Sequence, residues 1–115
     1  MEFKTFLKRA DIAPEAYLKK ARTMAKRYGV NYKTLDFSHA KHKKLRILDD
    51  ADRVVDFGSS SNGDFITWTM LERRHEVPAG YAKMKQNVFW RSHTAMQYDR
   101  KNPYAPNNLA LEILW

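Results

Sequence analysis

Along the chain, apolar and polar positions alternate with two different periods. Tyr17, Leu18, Ala21, Met24, Ala25 and Tyr28 recur at steps of three and four, the spacing of one helix face. Pro14 suits the first turn of such a helix, where its fixed φ fits and its missing N–H would have no partner anyway. Gly29 suits the left-handed residue just past the end. The spacing predicts a helix over 14–28, with Lys19, Lys20, Arg22, Lys26 and Arg27 on the remaining arc. Ahead of it, Phe3, Phe6 and Leu7 predict one or two helical turns within 1–9, interrupted at Asp11-Ile12-Ala13. Residues 1–13 then form a short helix or arm, and 14–115 the core of a single domain.

The period falls to two further on. Lys44–Leu48 and Arg53–Phe57 are β-type runs separated by Asp49-Asp50-Ala51-Asp52, which predicts a hairpin over 44–57. The connector before it carries Leu35 and Phe37 as core anchors, and Gly58–Gly63 reads as a flexible loop. Asp64 is placed to cap a helix running to about Glu76, with Phe65, Trp68, Leu71 and His75 on its inward stripe. Residues 65–69 also have strand propensity, but Met70–Arg74 continue the helical reading. Beyond the Pro78–Gly80 turn, a helix over 79–94 would turn Tyr81, Met84, Val88 and Phe89 inward and Lys83, Lys85 and Arg91 outward. After a polar loop at 98–103, Pro106 opens a short last helix that is apolar nearly all round and is expected to dock into the core or a partner. The expected fold is α+β and helix-dominated, four to five helices around a small hairpin.

Composition narrows the classes. With 115 residues the chain is one domain, and 43% hydrophobic content is too much for a disordered tail. The absence of cysteine excludes a disulfide framework and a Cys-ligated zinc site, and suits a reducing compartment. No apolar run approaches the ~18 residues of a membrane span, and the first residues lack a signal-peptide pattern, so the expectation is a protein neither secreted nor membrane-spanning.

Charge adds a direction. The net +8 is polarised: between Lys19 and Arg46 ten basic residues face one acid, Asp36. Residues 51–80 are slightly acidic, and 81–101 are basic again. Such a face attracts a polyanion: nucleic acid, an anionic membrane or an acidic protein. Basic residues also interleave with aromatics, as in Lys26-Arg27-Tyr28, Tyr32-Lys33 and Phe89-Trp90-Arg91. Since Tyr17, Tyr28 and Phe89 fall on inward stripes and only Tyr32 and Trp90 lie outside them, the pattern favours phosphate contacts over base stacking. The expected contacts are Lys19, Lys20, Lys26, Arg27, Lys41, Lys43, Lys44, Arg46 and Arg91.

Catalytic signatures are lacking. No phosphate-binding glycine loop and no nucleophile-elbow pattern occurs in the sequence. His39-x-x-His42 has metal-like spacing, but the surrounding lysines repel a cation. Asp49, Asp50, Asp52 and Asp56 are explained by turn chemistry. The expectation is a protein without catalytic residues, metal or cofactor.

Several strings resemble a family. Tyr17-Leu18-Lys19-Lys20-Ala21-Arg22, Val55-Asp56-Phe57-Gly58, Gly63-Asp64-Phe65-Ile66, Val77-Pro78-Ala79-Gly80-Tyr81-Ala82, Arg91-Ser92-His93 and the ending Tyr104–Trp115 are similar to small basic proteins encoded by large nucleocytoplasmic DNA viruses. The likeness spans roughly residues 15–115, and its most specific parts are the F-G…D-F segment and the P-N-N-L-A-x-x-I-L-W ending. Ala105 departs from the family's usual Ser, and Gln86, Asn87 and Val88 are less basic than its pattern. The resemblance transfers no active site. It implies a viral product of the virion or of the viral factory in the host cytoplasm. There the basic face would bind nucleic acid, most simply DNA with low sequence specificity. The alternative is a minor capsid or cement protein contacting acidic neighbours.

Overall fold

The computed structural model describes residues 2–93 and 98–115. Five helices surround a three-stranded antiparallel sheet: α1 (Glu2–Arg9), α2 (Pro14–Tyr28), β1 (Asp36–Phe37), β2 (Lys43–Leu48), β3 (Val54–Ser59), α3 (Phe65–Arg73), α4 (Tyr81–His93) and α5 (Pro106–Leu109). A 3₁₀ turn at Tyr32–Thr34 precedes β1, and α5 widens into a π-helical turn at Ala110–Leu114. The α+β class and the dominance of helix match the expectation.

Helix α2 begins and ends where its sequence dictates. Pro14 occupies the first turn, and Gly29 closes the last at φ 92°, its N–H donating to the carbonyls of Ala25 and Lys26. The inward face buries Tyr17, Leu18, Ala21 and Ala25. The hairpin also forms, with Leu45 opposite Phe57 and Ile47 opposite Val55. Asp49 organises its turn: the carboxylate accepts the N–H groups of Ala51 and Arg53 at 2.9 and 3.0 Å and the Arg53 guanidinium at 3.0 Å. Those backbone bonds to Arg53 first, then Ala51, and the guanidinium charge hold the Asp49 carboxyl below its ordinary range.

The sheet carries a third strand that the pattern did not show. Leu35 and Phe37 are buried anchors as expected, but Asp36 and Phe37 also pair with Arg46 and Leu45. Two residues are too short a run to display alternation.

Helix α3 is shorter and rotated relative to the expected stripe. Asp64 caps it: its carboxylate accepts the Thr67 N–H at 2.9 Å, while the Asp64 N–H donates to the Thr67 hydroxyl at 2.8 Å. Ile66, Thr67 and Leu71 are the buried side chains, whereas Phe65 and Trp68 are half-buried and His75 is exposed past the helix end at φ 61°. Helix α4 differs more. Only Ala82 is buried on it, and Met84 and Val88, expected inside, are 50% and 56% exposed. Its position is set by the Glu72 carboxylate, which accepts the Ala82 N–H at 3.0 Å, and by the Gln86 side chain, which donates to the Trp115 carbonyl at 2.6 Å. The expected last residue of this helix, Thr94, lies outside the described residues.

The C-terminal segment closes the core. Leu109, Leu111, Ile113 and Leu114 are at most 1% exposed and pack on α2 and β3. Asn108 is equally buried, because its side chain accepts the Asp99 N–H and donates to the carbonyls of Asp99 and Asn102, fixing the 98–103 loop. Tyr104 accepts the Asn31 N–H and donates to Asp50, and Tyr28 donates to the Pro103 carbonyl. The Tyr104–Trp115 segment thus holds the fold together. Gly58 lies against Leu114 and Lys44 at φ 80°, where a Cβ would meet Leu114 Cδ1 at 2.8 Å.

Candidate nucleic-acid interface

The ten cations between Lys19 and Arg46 have different fates. Lys19, Lys20, Lys26 and Arg27 form an exposed stripe on the outer arc of α2, spanning roughly 12 Å along the axis at ~1.5 Å per residue. Lys26 also lies over the Tyr32 ring, 5.5 Å from its centroid. That ring is half-buried against the core and so is no open stacking platform. Lys33, Lys41 and Lys43 are exposed as well, the last two beside the β1–β2 turn.

Three of the ten are drawn into the fold to different degrees. Arg22 donates through Nε and Nη2 to the Leu35 carbonyl at 3.1 and 2.8 Å, tying α2 to the start of β1. Lys44, expected as a phosphate contact, is 1% exposed. Its Nζ donates to Asp64 Oδ2 at 2.9 Å and sits 4.4 Å from the Phe3 ring centroid. The same carboxylate oxygen accepts the Tyr17 hydroxyl, and the other accepts the Thr67 N–H, so the carboxylate of this buried pair is well supplied with donors. Burial first, then the Asp64 charge and its hydrogen bond, push the Tyr17 phenol well above its ordinary pKa. Lys44 is therefore a structural cation. Arg46 is half-buried, and the strand register sets it between Asp36 and Asp56, a row in which acids outnumber the base. It contributes little to an anion-binding face.

Arg91 is exposed on α4, apart from the α2 stripe in sequence and element. Lys43 instead joins a second feature: a groove of about 660 Å³ between the β2–β3 hairpin, α3, α4 and the C-terminal segment. Lys43 and Lys85 supply its cations, and Trp68, Val88, Phe89 and Trp115 much of its apolar wall. The cations of α2 do not line it. No local pattern announces this groove, because its walls come from four separated segments. His42, at φ 66°, lies 3.6 Å from Glu2, a residue that also accepts the Ser60 hydroxyl at 2.7 Å.

No helix among the described residues is long and apolar enough to cross a membrane. Comparison with protein-family models, with curated proteins and with solved structures returned no match.

Proposed function

We propose that this chain is a non-enzymatic, virus-encoded basic protein, associated with the virion, that binds nucleic acid through phosphate contacts. The observation that supports it best is the α2 stripe: Lys19, Lys20, Lys26 and Arg27 are all exposed along one helix face, and Glu15, in the first turn, is the one acid on the helix. Lys33, Lys41, Lys43 and Arg91 extend the positive field, while Lys44 and Arg46 do not. The viral origin rests on the sequence resemblance.

Backbone binding of this kind releases counterions. The reading predicts that the affinity for a labelled DNA duplex falls linearly in log–log form as salt rises, with a slope of about −0.9 per phosphate neutralised. Anisotropy titrations over a range of sodium chloride concentrations test it. Binding indifferent to salt contradicts the reading.

A second reading, a minor capsid or cement protein set against acidic neighbours, is favoured by the exposed apolar pair Met84 and Val88 on α4. Fractionation of purified particles separates the two. Recovery with the nucleoid supports genome binding, and recovery with the shell supports the structural role.

A further inference from the structure

We propose that the groove between the hairpin, α4 and the C-terminal segment takes an unpaired nucleotide of a single-stranded nucleic acid, the base against the aromatic wall and the phosphate at Lys43 and Lys85. The inference rests on the nucleic-acid reading above and assigns it a second contact surface of different chemistry.

Three observations carry it. The volume, about 660 Å³, falls within the ~300–1,000 Å³ of ligand-binding clefts. The groove is polarised in side-chain charge: Lys43 and Lys85 line it, and no Asp or Glu does among the described residues. Lys44 reaches its wall too, but that charge is already matched by Asp64.

The aromatic wall has a geometry suited to a flat ligand. His93, Phe89 and Trp115 form a stack, with Phe89 3.8 Å from the His93 centroid at 9° and 4.5 Å from the Trp115 centroid at 8°. Both faces of Phe89 are thereby engaged, and Trp115, half-buried and lining the groove, ends the stack. A base laid on the indole extends an existing parallel array, with little side-chain reorganisation. Ser59, Asn62 and Asn107 supply hydrogen-bonding groups around it. Duplex DNA hides its base faces within the stack, so an unpaired strand is the form whose chemistry matches both the indole and the lysines.

The test uses the full chain with three probes: a thymidine oligonucleotide, a duplex of equal length and free adenosine monophosphate. The wild type is expected to bind the oligonucleotide with quenching of tryptophan fluorescence. Val88→Glu places a carboxylate in the groove from a position already 56% exposed, so the fold tolerates it. It is expected to weaken oligonucleotide binding about tenfold or more, with duplex binding changed far less. Lys85→Ala is expected to act in the same direction. Trp115→Phe is expected to retain binding while losing most of the quenching, which reports the base at that ring.

Several outcomes overturn the proposal: quenching undiminished in Trp115→Phe, oligonucleotide affinity unmoved by Val88→Glu, or free nucleotide binding as tightly as the strand. If duplex binding keeps its salt dependence in those cases, only the groove assignment fails. If neither duplex nor single strand binds, both readings fail.

Discussion

Lys44 and Asp64 form an ion pair at 2.9 Å with both side chains shut off from solvent, joining the second strand of the sheet to the cap of α3. Taking two charges out of water is costly. Here the cost is offset because Asp64 also accepts the Tyr17 hydroxyl and the Thr67 N–H, and Lys44 rests over the Phe3 ring. Removing one partner leaves an uncompensated buried charge. Lys44→Met is expected to cost about 3–5 kcal/mol, a large share of the ~5–15 kcal/mol that stabilises an ordinary domain. The double variant Lys44→Met/Asp64→Ser keeps a capping hydroxyl and buries no charge, so it is expected to be more stable than Lys44→Met alone. Urea midpoints of the wild type and the two variants decide it; a double variant less stable than Lys44→Met contradicts the account.

The closure of the C-terminal segment on the hairpin depends on Gly58. An alanine there meets Leu114 Cδ1 at 2.8 Å and Lys44 Cβ at 3.1 Å, and must also adopt φ 80°. Gly29 shares the left-handed backbone at φ 92° but has open space around it. Gly29→Ala is expected to cost about 1–2 kcal/mol from backbone strain alone, and Gly58→Ala clearly more. Thermal denaturation of the two variants gives the order directly.

The pH dependence has a defined sign at each end. Asp49 titrates below its ordinary value in the folded state, so its contribution is present above about pH 3.9, the ordinary carboxyl value, and is lost as pH falls through the lowered one. Asp49→Asn is expected to flatten the acid limb of the stability curve. Tyr17 behaves oppositely. Its raised pKa means that its contribution is complete below about pH 10 and is lost as pH rises towards the folded-state value. Absorbance at alkaline pH is expected to show Tyr17 ionising together with unfolding, and Tyr17→Phe, which removes the titrating hydroxyl, to shift that transition.

Legibility in the sequence followed locality. The ends of α2, the hairpin and the Asp64 cap rest on residues within a few positions of one another, and each forms where its pattern places it. Strand β1 is two residues long and acquires its identity only by pairing with Arg46 and Leu45. The alternation of β2, with Leu45 and Ile47 buried on one side, assigns Lys44 to solvent. Only the arrival of α3, with Asp64 twenty positions on, buries it. Helix α4 departs from its pattern for a related reason: Met84 and Val88 have core-like character, but the helix is held by the Glu72 and Gln86 hydrogen bonds and buries only Ala82. The basic block was legible as charge, yet which cations stay available was set by Leu35, Asp64 and the Asp36–Arg46–Asp56 row.

The central claim is that the exposed stripe of α2 makes the phosphate contacts and that the buried cation does not. The most direct measurement is the salt slope of duplex binding for the wild type, for Lys19→Ala/Lys20→Ala/Lys26→Ala/Arg27→Ala, and for Lys44→Met/Asp64→Ser. The stripe variant is expected to lower the magnitude of the slope by about 3–4, at ~0.9 per lost contact, and the core variant to leave it unchanged while folded. A stripe variant with the wild-type slope contradicts the account.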